Sequence, residues 1–353
     1  MYEIMTSDEA IRLIRDGDCI CVNSFVGIEN PVELHEALYR RYQKMQSPTH
    51  LTIVSSAGFG VWDTEHNAEG YIRDGAVDKL ICGHFGAMMS TKKLVLEDRF
   101  EAYNLPLGCI SHAIRAQAGG LSGALSKVGL DIFVDPRLEG PGINRVSIDD
   151  SLVRHVEVDG EEFLYYKLPK INIALIKGTA ADRKGNITFD DMFMSGDALS
   201  ICQAVKANRG KVIVQVDRLV DTPSRPRNAI IPGCLVDAIV VAEPQERNEA
   251  YTALTGSFEI PYEEWHTWSE KIDQASEKMI KDNTIGKIIG RRAAKELRVD
   301  DIVNIGIGIP EMVSRYARKS GMLDMVTLTV ESGGIGGFPV SGEAFGAMIG
   351  AAS

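Results

Sequence analysis

The segment Thr329-Val330-Glu331-Ser332-Gly333-Gly334-Ile335-Gly336-Gly337 carries the sharpest chemical signal in the chain. It sets a carboxylate at the end of an apolar run and follows it with four glycines in six residues. In an open α/β sheet, ligands bind beyond the carboxyl ends of the strands, which is where such a carboxylate is delivered. The glycines let a substrate approach the main chain and leave N–H groups to face an anion. A lone carboxylate, with no Asp, His or second Glu beside it, suits nucleophilic attack better than a metal cage. Residue type and spacing leave a second reading open, in which Glu331 is a solvated strand-end residue beside a flexible turn.

Other chemistries find less support. Gly306-Ile307-Gly308-Ile309-Pro310 begins like a dinucleotide loop, but Pro310 and Glu311 stand where the remaining glycine is needed. No Gly-Lys-Ser/Thr phosphate loop occurs. None of the six cysteines forms a Cys-x-x-Cys pair, and the seven histidines are scattered, so no metal site is expected. Cys19 and Cys21 are expected to share one buried strand face. His84, His112, Arg291 and Arg292 are expected to be structural or solvated.

The elements that must carry Glu331 are legible. Thr6-Ser7-Asp8-Glu9 fits a capping box, Ala10, Ile11, Leu13 and Ile14 form a helical stripe, and Gly17 supplies the stop. Cys19–Val22 reads as a strand, then a turn with Gly27 and Pro31, a helix through Val32, Leu34, Ala37 and Leu38, and the strand Leu51–Val54. The same order recurs near the C-terminus. Asp282-Asn283 caps a helix with Ile285, Ile288, Ile289, Ala293 and Leu297 on one face. Asp301 opens the strand Ile302–Ile305, the glycine turn leads into a helix through Met312, Val313 and Ala317, and the strand Val326–Val330 ends at Glu331. This is a degenerate internal duplication, and aligning its strands sets Ser56 opposite Glu331. Further strands are expected at Ile132–Val134, Ile171–Ile176, Val212–Val216 and Ala238–Val241, with Asp182–Asn186 as a turn.

Strands alternating with helices imply α/β architecture: two related open domains with mostly parallel sheets, the second incomplete in this chain. The division expected is 1–244, a polar Glu-rich connection at 245–282, and 283–353 bearing Glu331. A half-built second sheet would leave strand edges for another polypeptide to cover. The 353 residues, 44% of them hydrophobic, exceed what one core usually needs and exclude disorder. A net charge of −11 argues against nucleic acid as a partner. No apolar run is long enough to span a bilayer, and the N-terminus lacks a secretory pattern, so no membrane partner and a cytoplasmic location are expected.

Glu331 and its glycines, with Asn304-Ile305-Gly306-Ile307-Gly308-Ile309-Pro310-Glu311 upstream, resemble the family I coenzyme A transferases, in particular the propionate/acetate CoA-transferase type with both halves in one chain. Further resemblance runs through Lys127-Val128-Gly129, Phe133-Val134-Asp135-Pro136-Arg137, Gly178-Thr179-Ala180-Ala181-Asp182, Gly185-Asn186-Ile187-Thr188-Phe189, Cys202-Gln203-Ala204-Val205-Lys206 and Ile289-Gly290-Arg291-Arg292-Ala293. It covers essentially all of the chain and stops before the family's own C-terminal part.

The resemblance implies that Glu331 is the nucleophile. A glutamate is ordinarily ionised at neutral pH and needs no general base. It would attack an acyl-CoA thioester, form an acyl-glutamyl anhydride, and be converted by the released CoA thiolate into a glutamyl-CoA thioester. A second short-chain carboxylate (acetate, propionate or butyrate) would then leave as the new acyl-CoA, in ping-pong order. No resident cofactor is implied; the coenzyme A thioester is substrate. Ser56, Gly108, Gly308, Gly333 and Gly334 are the expected substrate or CoA contacts. Relatives commonly present an amide in the segment matching Asn104–Gly108, and Leu107 occupies that place without a donor. A homo-oligomer is expected, with a second chain supplying the remaining portion as one arrangement. The alternatives are a chain inactive on its own, or an acyl-CoA hydrolase.

Overall fold

A computed structural model describes residues 2–25, 29–59, 69–86, 88–192, 194–222, 225, 227–243, 284–306, 308–331, 333–339 and 348–349. The chain divides into two compact units, Met1–Asn248 and Glu249–Ser353. The polar stretch 245–282 and the expected caps Asp282 and Asn283 lie outside the described residues, as does Gly27.

The strands of the first unit are β1 (Glu3–Ile4), β2 (Cys19–Val22), β3 (Leu51–Ser55), β4 (Val77–Cys82), β5 (Glu101–Asn104), β6 (Ala124–Ser126), β7 (Val153–Val158), β8 (Glu161–Tyr166), β9 (Ile173–Asp182), β10 (Ile187–Thr188), β11 (Lys211–Val220), β12 (Ala229–Ile231) and β13 (Ala238–Val241). Its helices are α1 (Ser7–Ala10), α2 (Val32–Met45), α3 (Gly70–Arg73), α4 (Met89–Leu96), α5 (Leu107–Ala118) and α6 (Ala198–Ala207). The main sheet runs β1-β13-β11-β9-β2-β3-β4-β5, parallel throughout, with β10 antiparallel to β9 and β12. From β2 the chain winds outward through β3, β4 and β5. It later fills the other side with β9, β11 and β13. The reversal between β2 and β9 is a topological switch point, where α/β sheets open a crevice at their carboxyl edge.

Both faces of this sheet are covered. Cys19 and Cys21 of β2 pack with α5 and α6 residues, while Ile20 and Val22 pack with Leu34, Ala37 and Leu38 of α2. A strand covered on both sides reads as an unbroken apolar run, which is why Cys-Ile-Cys-Val shows no polar alternation. Burial pushes the Cys19 thiol up to about 12, as expected of an inert core cysteine. Ala198, Ile201 and Val205 present the matching stripe of α6. Thr6 and Glu9 make the capping box. The first helix ends sooner than Gly17, passing into a 3₁₀ turn at Ile11–Leu13, because the Asp18 carboxylate accepts the Arg15 N–H at 2.7 Å.

Two expectations fail here. Ile132–Val134 is not a strand. The buried Asp135 carboxylate accepts the Asp131 and Arg137 N–H groups and the Arg137 guanidinium, folding the segment into successive turns and leaving Ile132 and Phe133 exposed. A separate antiparallel sheet, β6-β8-β7, was not expected. Its signal was Asp159-Gly160, both with positive φ (54° and 80°), the Asp-Gly pair that favours a tight hairpin. By contrast, Asp182–Asn186 is the turn expected: the Asp182 carboxylate accepts the Lys184 and Asn186 N–H groups.

The second unit contains α7 (Thr284–Ala293), β14 (Ile302–Asn304), α8 (Glu311–Lys319), β15 (Thr327–Thr329), β16 (Phe338–Pro339) and β17 (Met348–Ile349). β14 and β15 pair in parallel, Ile302 with Thr327, and α8 is the crossover between them. β16 and β17 form an antiparallel pair. The expected apolar face of α7 is overturned. Its buried residues are Gly286 and Gly290, whereas Ile285, Ile288 and Ile289 are exposed. The reason is steric: a Cβ on Gly290 would lie 2.3 Å from Met312 Cβ, so the bare side of α7 is the one that approaches α8.

Candidate active site

In the second unit, Val330 is buried and Glu331, the next residue, is exposed at the carboxyl edge of β15. The glycine-rich loop then folds back over its own strand. Thr329 bridges Ile335 in antiparallel fashion, Val330 N–H donates to Gly334 O, Gly333 N–H to Val330 O and Gly336 N–H to Leu328 O. Positive φ at Gly333 (106°), Gly336 (76°) and Gly337 (70°) makes this reversal affordable without strain. Among the described residues the Glu331 carboxylate makes no hydrogen bond or ion pair. It is an acceptor held out on a tightly folded loop.

The glycines behave differently from one another. Gly333 spends its N–H inside the loop, and Gly334 makes its contact through its carbonyl. Gly308, with φ at 87°, donates its N–H to Glu311 Oε1 at 2.7 Å, which closes the first turn of α8. The N–H groups of Gly308 and Gly333 are therefore committed to structure. Because β14 and β15 are parallel neighbours, the Gly308 turn and the Glu331 loop leave the sheet from the same edge, and Ile305 N–H donates to Thr329 O at 2.8 Å between them.

The first unit has its own cleft at the switch point. It encloses about 60 Å³ and is lined by residues that follow β2 (Asn23, Ser24, Phe25), β3 (Ser56, Ala57), the head of α5 (Leu107) and the approach to α6 (Met194, Gly196, Asp197), with Glu29 behind. Ser56 thus lies in a cleft. Its hydroxyl donates to Asp197 Oδ2 at 2.8 Å, so its hydrogen is already committed. Leu107 is the first residue of α5 and Gly108 the second; a Cβ on Gly108 would meet nothing within 4 Å. No side chain caps this helix start, leaving first-turn N–H groups beside the cleft. Gly83, at the end of β4, permits the close packing here, since a Cβ on it would lie 2.1 Å from Ser56 O and 3.2 Å from Leu107 Cα.

Three residues of this cleft were missed from sequence. Asp197 accepts Ser56 Oγ, Ser111 Oγ at 2.5 Å and Arg115 at 3.5 Å, while its N–H donates to Asn23 Oδ1 at 3.0 Å. Asn23 Nδ2 in turn donates to Glu29 Oε2 at 3.1 Å, and Met194 N–H donates to Glu29 Oε1 at 2.9 Å. Glu29 is buried with φ at 58°, and desolvation pushes its carboxyl up to about 8 despite those hydrogen bonds and the charge of Lys177. Partners 141 and 86 residues apart leave no local pattern to read. Among the described residues no cluster of His, Cys, Asp and Glu is arranged to hold a metal, and no helix is long and apolar enough to cross a membrane.

A coenzyme A transferase family model matches residues 4–242, most of the chain. This chain belongs to the coenzyme A transferase family. Among CoA-transferases it is 35% identical to the acetate CoA-transferase YdiF of Escherichia coli K12 over 98% of its own length. It is 34% identical to the caffeate CoA-transferase of Acetobacterium woodii over 99%. It superposes over its whole length on a crystal structure of YdiF from E. coli O157:H7, described as a thioester complex with CoA, with a TM-score of 0.83 at 31% identity. The α/β fold with a mostly parallel sheet is that of these CoA-transferases. The chain spans 64% of the length of YdiF and 66% of that of the caffeate enzyme.

Proposed function

We propose that the chain carries the nucleophile of a CoA-transferase that exchanges coenzyme A between a short-chain acyl-CoA and a free carboxylate. Supporting this is the placement of Glu331: an exposed carboxylate, without a partner among the described residues, at the carboxyl edge of a parallel β-α-β pair. A free carboxylate is a nucleophile as it stands, and the folded glycine loop holds it beyond the strand end.

The chemistry balances without an external energy source. A Glu331 oxygen attacks the thioester carbonyl, the C–S bond breaks, and CoA leaves as thiolate with an acyl-glutamyl anhydride behind. The thiolate attacks the glutamyl carbonyl, the bond from that carbon to the bridging anhydride oxygen breaks, and the first acid departs as its carboxylate. The incoming acid reverses both steps. Uncapped N–H donors aimed at the tetrahedral oxyanion are worth about 3–4 kcal/mol each in such reactions. Ser56 is not suited to that role, because its hydrogen is held by Asp197. The name acetate CoA-transferase for YdiF supports the short-chain substrate class. A cytoplasmic, homo-oligomeric protein with no resident cofactor completes the proposal.

The test is borohydride trapping. The chain is treated with acyl-CoA, reduced, digested and mapped. Reduction at Glu331, absent in Glu331→Gln, is the expected result. Reduction at another carboxylate would move the nucleophile. Acyl-CoA breakdown in the absence of any acceptor acid, at the rate seen with it, would favour a hydrolase instead.

A further inference from the structure

The small sheet β6-β8-β7 stands apart from the main sheet of the first unit, and its two edges differ. β6 offers three residues, whereas β7 offers the six of Val153–Val158, with no proline and no register shift along β8. Natural edges are usually blunted by such devices, because an open edge is a template for another strand. Among the described residues no strand pairs with the outer side of β7. The ladder tells which groups lie there. Lys167 N–H donates to Leu152 O at 2.9 Å, and Val153 is registered with Tyr166. Antiparallel pairs alternate, so Arg154, Val156 and Val158 turn their N–H and C=O groups to β8. Val153, His155 and Glu157 turn theirs away from it.

The faces of this sheet differ as well. Val153, Leu164 and Tyr166 are fully buried on one. The other carries Leu125, Val156, Val158, Phe163 and Tyr165, of which Leu125 and Val158 are 47% and 40% exposed. Arg154 shares that outer face but lies over the Tyr165 ring at 5.3 Å, folded toward β8 and off the open edge. What remains at the edge is a row of β-branched side chains beside unspent main-chain groups, which suits a strand better than a small molecule.

We propose that the outer edge of β7 docks the same edge of a second copy of this chain, antiparallel about a two-fold axis at Val156. This rests on the homo-oligomeric reading above and gives it a surface. A two-fold axis normal to the sheet pairs residues of the same face, so it passes through a residue position. An axis at Arg154 sets Arg154 against its own copy, and one at Glu157 sets Glu157 against its own copy. Like charges directly opposed are destabilising. An axis at His155 opposes two imidazoles and sets Val153 against Glu157. An axis at Val156 opposes His155 to Glu157 on one face, twice by symmetry, with Val156 against Val156 and Arg154 against Val158 on the other. Charge complementarity therefore selects the last register. His155 and Glu157 then exchange about four main-chain hydrogen bonds across the axis, and the outer apolar faces join.

The experiment combines sedimentation velocity of the full chain with disulfide trapping in a Cys234→Ser background, since Cys234 is exposed and the other five cysteines are buried. Across the proposed axis the two Val156 Cα atoms are about 4.5 Å apart, within disulfide reach. The two Val158 Cα atoms, on the same face, are about 13 Å apart. Under mild oxidation Val156→Cys should cross-link at least about tenfold faster than Val158→Cys. Glu157→Pro removes an outward N–H and spares the β8 ladder, so it should weaken the dimer at least about tenfold while circular dichroism stays unchanged. Should that variant fail to fold, the cysteine pair decides alone. Equal cross-linking at the two positions, or an undiminished dimer in folded Glu157→Pro, would overturn the proposal. A dimer that never cross-links at Val156→Cys would overturn this surface and leave the homo-oligomeric reading standing. A monomer at all concentrations would overturn both.

Discussion

Two β-α-β turns of this chain, β2-α2-β3 and β14-α8-β15, are built alike and used differently. In the first, Cys19 pairs with Thr52, and Ser56 comes four residues later. In the second, Ile302 pairs with Thr327, and Glu331 comes four residues later. Counted from the first residue pair of each strand pair, Ser56 and Glu331 stand at the same distance along the chain. Yet Ser56 sits in a cleft with its hydrogen tied to Asp197, and Glu331 stands exposed without a described partner. The lesson is that one supersecondary unit supplies two offices at the same place. One copy shapes a small polar cleft inside a wide sheet, and the other holds out an exposed carboxylate on a short one.

The comparison can be broken most sharply at its reactive end. Glu331→Gln should lower transfer by at least about a thousandfold, as removal of a covalent nucleophile does, while circular dichroism stays unchanged. Activity within tenfold of the parent (roughly 1.4 kcal/mol) would remove the contrast between the copies. Next in size, Gly83→Ala should destabilise the first unit by about 1–3 kcal/mol in urea, because the added methyl collides with the Ser56 carbonyl 2.1 Å away. An unchanged midpoint would show that the β3 end and α5 are not pressed together.

The buried acid behind the cleft gives a pH test. Glu29 is raised to about 8 in the fold by desolvation, against about 4.3 for a free glutamate. Between those values the native state keeps a proton that the unfolded chain has lost. Its contribution is complete below the lower value and falls as pH rises toward the higher one, by on the order of 1 kcal/mol per pH unit. Urea midpoints of the parent should therefore drop relative to Glu29→Gln between pH 5 and 8. Parallel curves would refute the shift. The smallest effect is Ser56→Ala, which should cost about 1 kcal/mol for a lost hydrogen bond to a carboxylate, read from the same urea curves. A loss above about 3 kcal/mol would mean that Ser56 holds the cleft by more than that bond.

Much of the frame was legible because its signals are local. The boundaries of β2 and β13 follow from apolar runs bounded by polar residues, and the Thr6–Glu9 box from residue spacing. What escaped depends on distant partners. Ile132–Val134 has a strand's composition, but the Asp135–Arg137 clasp coils it into turns. The isoleucines of α7 have a core stripe's spacing, but the closer approach goes to Gly290. In the second unit, Glu331 announces itself by its glycines. Asp197, in the first unit, carries no such local signal, because Ser56 and Ser111 reach it from other parts of the chain.

The central claim is that Glu331 bonds covalently to coenzyme A, and mass spectrometry of the acyl-CoA-treated chain tests it most directly. The account predicts a peptide carrying coenzyme A in thioester linkage at Glu331, sensitive to hydroxylamine and missing from Glu331→Gln. A coenzyme A adduct on any other side chain, or one that persists in Glu331→Gln, would contradict it.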